Sequence, residues 1–92
     1  MRDNMNAILK DEFRFLAIRT RDRMGLTQNK MAEELTMNEA SYSVIETGVY
    51  KCGTLTAVLL LMLQDDPREF LDRIKEKFKA LEKSYEKEDE KL

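Results

Sequence analysis

Several residue types are scarce or missing in this 92-residue chain, and each absence excludes a class of protein. There is no histidine, which removes the commonest general base and the commonest metal ligand. The single cysteine, Cys52, cannot form an internal disulfide, so we expect a reducing compartment. Three glycines and one proline are too few for a turn-rich β-sandwich or barrel. No apolar run approaches the roughly 18 residues that a membrane span needs, the longest being 57–63.

The sequence also lacks the patterns that catalytic sites require. No candidate nucleophile has a base nearby, no glycine-rich loop could hold a phosphate, and no spacing of ligands indicates a metal. The amino end leads into a charged helix rather than into the apolar stretch of a signal peptide. We therefore expect a cytoplasmic protein that is not an enzyme, needs no cofactor and binds no membrane.

The remaining composition favours one small domain built from helices. Lys, Glu, Leu, Met and Ala form helices readily and are abundant, and 42% apolar residues are enough to bury one core. Capping residues and glycine stops divide the chain into five helices, which predicts an all-α fold. With their caps, the helices are expected at Asn4 or Asn6 to about Met24, Thr27 to about Leu35, Asn38 to about Glu46, Thr54 to Leu63, and Asp66 into the eighties. The charged end after Tyr85 is expected to fray.

Two short helices joined by a tight turn across 27–46 predict a helix-turn-helix. The residues at its fixed positions are Thr27, Gln28, Met31, Ala32, Thr36, Met37, Asn38, Tyr42, Ser43, Glu46 and Gly48. They resemble the pattern T-Q-x-x-L-A-x-x-x-G-V-S-x-x-x-I-S-x-x-E-x-G of the phage repressor and Cro type (XRE-like) of transcriptional regulators. The resemblance covers roughly 13–64 without a gap. It implies a five-helix, lambda-repressor-like DNA-binding domain in 1–64, followed by a C-terminal helix in 65–92 for dimerisation or packing.

The resemblance identifies the third helix as the recognition helix, whose outward residues would face the major groove. These residues are Glu39, Ala40, Ser41, Ser43 and Val44. Glutamate can accept a hydrogen bond from cytosine N4, and Ala or Val can contact a thymine methyl. The set contains no Arg, Gln or Asn, the strong readers of guanine and adenine. The alternative is a solvated helix face with little DNA contact.

Three residues are candidates for contact with DNA phosphates. Gln28 begins the second helix, where free N–H groups favour an anion, and its family counterpart contacts the DNA backbone. Thr27 could cap the helix, contact a phosphate, or do both. Lys51 lies in a loop that would meet the DNA backbone, and it could equally be an ordinary surface lysine. The segment 19–30 carries a net charge of +3, although the whole chain carries −2.

The resemblance implies one structural ion pair, and the sequence departs from the family pattern at one important position. Arg21 and Glu46 would form a partly buried pair that links the first helix to the end of the third. The exception is Thr36, which stands where the family usually has glycine. A β-branched residue in the left-handed region costs about 1 kcal/mol or more, so either the turn differs or the scaffold absorbs the strain.

The last two helices carry more apolar surface than one core can cover. Helix four is apolar on every side across 57–63, and we expect its core face to consist of Leu55, Val58, Leu59, Met62 and Leu63. The seam on helix five consists of Leu71, Ile74, Phe78, Leu81 and Tyr85, and it is longer than helix four. A monomer could fold helix five back over helix four, but the distal seam would then lack a partner. The predicted dimer interface is therefore Leu60, Leu61, Ile74, Phe78 and Leu81.

These observations predict a sequence-specific transcriptional regulator, repressor-like, that binds double-stranded DNA. We expect a homodimer, because a single helix-turn-helix reads few base pairs. The alternative is a protein-interaction module, such as an antitoxin, whose C-terminal helix binds a partner protein.

Overall fold

The computed structural model describes the backbone of residues 1–90 and the side chains of residues 1–86. Within that part the chain forms five α-helices and no strand, so the all-α prediction is confirmed. The helices are α1 (Arg2–Met24), α2 (Gln28–Glu34), α3 (Glu39–Glu46), α4 (Thr54–Met62) and α5 (Pro67–Glu90). In residues 1–90, no helix combines the length and the apolar character that crossing a membrane requires.

The local signals in the sequence set most helix ends. Gly25, at φ 68°, ends α1 in the left-handed conformation, and the N–H of Leu26 donates to the carbonyl of Arg21. Asn38 caps α3 by accepting a hydrogen bond from the N–H of Ser41 at 2.8 Å. Differences occur at three ends: α1 already begins at Arg2, Gly53 rather than Thr54 is the N-cap of α4, and α5 continues past Tyr85 to Glu90.

The two long helices, α1 and α5, lie antiparallel against each other. Near the start of α1, the Asn4 amide donates to the Tyr85 hydroxyl at 2.7 Å. Further along, the buried Glu12 carboxylate pairs with Lys77. Phe13 then meets Phe70 edge-to-face, with ring centroids 4.9 Å apart. Later residues of α1 therefore contact earlier residues of α5, as expected for antiparallel helices.

This pairing corrects the prediction for helix five. Ile74 is buried inside the protomer, so assigning it to a dimer interface was wrong. Phe78 is half-buried and packs against the same core, and its interface role stays a prediction. The distal seam has a partner because α1, at 23 residues, is nearly as long as α5. Phe70 takes the buried position next to Leu71, which is exposed. Leu81 is half-buried, and its predicted role in a dimer stays a prediction.

The prediction for helix four was partly wrong: Leu59 and Leu63 pack against the core as expected, but the other predicted core positions do not. Leu60 is fully buried with Thr56, one turn earlier, so Leu60 cannot contact a second chain. Leu61 is half-buried against the core, and its interface role stays a prediction. Leu55, Val58 and Met62, which we expected in the core, are instead 65%, 48% and 73% exposed. When apolar residues occupy every side of a helix, their spacing does not indicate which side faces the core.

One core joins residues from all five helices, so α5 completes the same core that α1 to α4 build. Its buried members are Leu16, Ala17, Met31, Ala32, Leu35, Tyr42, Leu60, Phe70 and Ile74.

Candidate nucleic-acid interface

The turn between α2 and α3 holds a strained residue. Thr36 has φ 55°, the only positive φ of a residue other than glycine in the described part of the chain. Its hydroxyl donates to the Leu35 carbonyl at 2.7 Å, and the N–H of Met37 donates to the Ala32 carbonyl at 2.9 Å. Thr36 therefore lies in the left-handed region that favours glycine, and these hydrogen bonds hold the turn.

The third helix has one buried and one open side. Tyr42, Ile45 and Glu46 are buried against the rest of the protein. Of the residues predicted to face DNA bases, Glu39, Ala40 and Ser41 are exposed, whereas Ser43 and Val44 are half-buried. The exposed three occupy the first turn of α3, the part of a recognition helix that enters the groove first.

The Arg21 guanidinium and the Glu46 carboxylate form a two-pronged ion pair. Nε and Nη2 of Arg21 lie 2.7 Å and 2.9 Å from the two carboxylate oxygens. The Glu46 side chain is only 7% exposed, and that of Arg21 is 28% exposed. Burial alone would raise the pKa of Glu46, but the hydrogen bonds from Arg21, Tyr42 and Gln28, together with the charge of Arg21, outweigh burial and lower that pKa. The same contact with Glu46 raises the pKa of Arg21. The pair stays charged near neutral pH and fixes the end of α3 to α1.

The same carboxylate also holds the side chain of Gln28. The Gln28 amide nitrogen donates to Oε1 of Glu46 at 3.3 Å, and the residue is half-buried. An amide nitrogen carries two hydrogens, so the second one is available to another acceptor. Thr27 is exposed and caps α2, because its hydroxyl accepts from the N–H of Lys30 at 3.2 Å. Gln28, Arg21 and Glu46 therefore meet where α1, α2 and α3 converge.

Arg14 belongs to the same junction and was missed by sequence reasoning. Its Nε donates to the backbone carbonyl of Glu46 at 2.6 Å. Its Cδ lies 3.4 Å from where a Cβ on Gly48 would stand, an ordinary contact, so glycine is favoured there by its φ of 78°. The spacing could have indicated its role, because Arg14 and Arg21 are seven residues apart and therefore share one face of the helix. Two arginines of α1 thus hold both the side chain and the backbone of Glu46.

The loop between α3 and α4 presents Lys51 to solvent, together with two residues that sequence reasoning missed. Val49 and Tyr50 are 62% and 65% exposed. The sequence could have indicated their exposure, because two large side chains follow directly after Gly48, which ends the third helix, and lie outside any predicted helix. Lys51 shares the lining of a cavity with Lys10 of α1.

The part of the chain that contains α2 and α3 is acidic, which limits its attraction for phosphates. The segment 27–46 contains four glutamates and one lysine, Lys30, whose ammonium lies 3.4 Å from Glu33. The described residues contain no group of His, Cys, Asp or Glu side chains that could hold a metal ion. The arrangement can therefore offer hydrogen bonds and small apolar contacts on a rigid helix, but little positive field. Comparison of the chain with protein-family models, with curated proteins and with solved structures gave no match.

Proposed function

We propose that this chain is a sequence-specific DNA-binding transcriptional regulator, repressor-like, with a lambda-repressor-like fold. The observation that carries the proposal is the way α3 is held. Asn38 caps its start, Arg14 and Arg21 fix Glu46 at its end, and its first turn is open to solvent. A short helix that is rigid on one side and polar on the other suits insertion into the major groove.

In this proposal the open face reads bases and its surroundings contact phosphates. Glu39, Ala40, Ser41, Ser43 and Val44 are the base-facing residues. Gln28 donates its second amide hydrogen to a phosphate while Glu46 fixes its orientation, and Thr27 and Lys51 supply further backbone contacts. Because few of these groups are cationic, we expect a logarithmic salt dependence of roughly −2 to −3, shallower than that of strongly basic DNA-binding proteins.

We further propose that the protein acts as a homodimer through the outer face of α4. Leu55, Val58 and Met62 form this face, an apolar patch on the order of 300 Å², a size typical of functional patches on small proteins. A second copy fits it because the segment 54–62 carries no charge, so two such faces meet without repulsion. An eight-residue recognition helix also reads too few base pairs alone, and a two-fold pair doubles the contact.

The alternative, a protein-interaction module whose C-terminal helix binds a partner, has less support. Ile74 and Phe78 of α5 already pack against the core, which leaves Leu71 as the one large apolar side chain exposed on the described part of that helix. The proposal assigns no catalytic role, cofactor or metal to the chain.

The DNA assignment is tested by selecting bound sequences from random oligonucleotides and then measuring affinity by fluorescence anisotropy. We expect Gln28→Ala to weaken binding to selected and scrambled DNA by the same factor, because a phosphate contact carries no sequence information. Glu39→Gln should instead change the preferred base, while Glu82→Gln on α5 serves as the matched control. Absence of any selected sequence, or a changed preference in Gln28→Ala with none in Glu39→Gln, would overturn the assignment.

The dimer assignment is tested by sedimentation equilibrium at tens of micromolar. Met62→Glu should give a folded monomer with much weaker DNA binding, because it places a charge in the middle of an apolar contact. Leu71→Glu is the matched control, since Leu71 is likewise a large exposed apolar side chain but lies on α5. A wild-type monomer that binds DNA fully would refute the dimer.

A further inference from the structure

A cavity of about 300 Å³ lies outside the helix-turn-helix, between the first half of α1, the loop before α4 and the start of α4. Its walls are mainly apolar and include Leu9 and Phe13 of α1 and Ala57 and Val58 of α4. Its volume falls at the lower end of the range of small-molecule sites, which corresponds to a ligand of about ten non-hydrogen atoms.

The charged groups around this cavity have one sign. Lys10 and Lys51 line it, and none of the described residues in its lining is acidic. Gly53 and Thr54 also line it, so the first turn of α4 begins at its edge, and Gly53 caps that turn without a side chain. Burial raises the pKa of the neighbouring Cys52 thiol to about 11, so this group adds no negative charge at neutral pH.

We propose that this cavity binds a small amphiphilic carboxylate, a soluble acid whose aliphatic or aromatic body occupies the apolar walls. The carboxylate lies between the two lysine ammonium groups and close to the first N–H groups of α4. An apolar ligand without charge would leave the lysines without an ionic partner, and a cation would be repelled by them. The cavity shares Lys51 with the proposed phosphate contacts and Val58 with the proposed dimer face, so octanoate binding is measured on DNA-free protein.

The test uses sodium octanoate as the probe, with octylamine and anionic phosphatidylglycerol vesicles as comparison arms. Calorimetry gives the affinity, and ¹H–¹⁵N spectra give the location. We expect octanoate to shift amides of residues 6–13 and 51–58, and we expect octylamine not to bind. Equal binding of octylamine, shifts scattered over the surface, or binding to vesicles without binding to octanoate would overturn the proposal.

Two variants test the two parts of the site separately. Lys10→Gln with Lys51→Gln should weaken octanoate binding about fivefold, since each partly exposed ion pair contributes modestly. Ala57→Leu should abolish binding by filling the cavity, with its fold checked by circular dichroism. The matched controls are Lys75→Gln and Ala80→Leu, both exposed positions on α5. Unchanged affinity in the double lysine variant would refute the carboxylate site even if Ala57→Leu failed to fold.

Discussion

Replacing Arg21 with methionine tests the junction that holds the third helix. The substitution removes both hydrogen bonds to the Glu46 carboxylate and keeps an apolar side chain of similar length. It leaves a carboxylate that is 7% exposed with the weaker amide contact from Gln28 at 3.3 Å. Breaking a buried pair by removing one partner costs about 3–5 kcal/mol, and the remaining amide places this case near 3 kcal/mol. For a chain of this size that loss lowers the Tm by more than about 10 °C.

The opposite substitution should cost less, because the two partners differ in exposure. Glu46→Leu leaves a guanidinium whose side chain is already 28% exposed and can turn into water, so we expect a loss of about 1 kcal/mol. The double variant leaves no uncompensated charge. Its loss should be about 2 kcal/mol smaller than the sum of the single losses.

The pH dependence of stability should reverse between wild type and Arg21→Met. In the wild type the folded-state pKa of Glu46 lies below its ordinary value. Its contribution to stability is therefore present above the unfolded-state pKa, near 4.3, and is lost as pH falls through the folded-state pKa. Without Arg21, burial raises the folded-state pKa of Glu46, so the carboxyl destabilises the fold as pH rises through that value. The difference between the two proteins should therefore shrink as pH falls from 7 to 4.5.

Urea denaturation of all four proteins, followed by far-ultraviolet circular dichroism at one protein concentration, measures these free energies. Each curve is recorded at pH 7 and pH 4.5. Small and additive losses at pH 7, together with an unchanged difference at pH 4.5, would refute the argument and show that the pair contributes little to stability.

Three further predictions concern other parts of the fold. Thr36→Gly should raise the free energy of unfolding by about 0.5–1 kcal/mol, because glycine avoids the left-handed penalty; a loss in urea denaturation would contradict this. Phe78→Glu should destabilise the monomer by more than about 2 kcal/mol, because Phe78 packs against the core; an unchanged Tm would count against that packing. Cys52 should react with iodoacetamide at pH 8 at least about tenfold more slowly than in the urea-unfolded chain, because burial raises its pKa to about 11; equal rates would contradict its burial.

The parts of the fold that follow from local chemistry were predictable from sequence. The caps at Thr27 and Asn38 and the stop at Gly25 act within four residues, so the bounds of α2 and α3 follow closely from the sequence. Contacts that join distant segments were not predictable in this way. The bond from Arg14 to the Glu46 carbonyl spans 32 residues, and only the packing of α1 on α3 brings these groups together.

Directional polar contacts determine which side of α4 faces the core, because the spacing of its apolar residues does not. Polar groups at the end of this helix bind it to α1: the Gln64 amide donates to the Thr20 hydroxyl at 2.8 Å and to the Leu60 carbonyl at 2.9 Å. The Arg23 guanidinium donates to the Leu63 carbonyl at 2.8 Å. A rotation of α4 by about 100°, the angle between successive residues, would exchange Leu60 for a neighbour in the core. It would also move the Gln64 amide away from the Thr20 hydroxyl and the Leu63 carbonyl away from Arg23. The apolar side chains of α4 are nearly interchangeable in the core, whereas the hydrogen bonds are directional. The polar contacts therefore favour the orientation in which Leu60 is buried and Met62 faces outward.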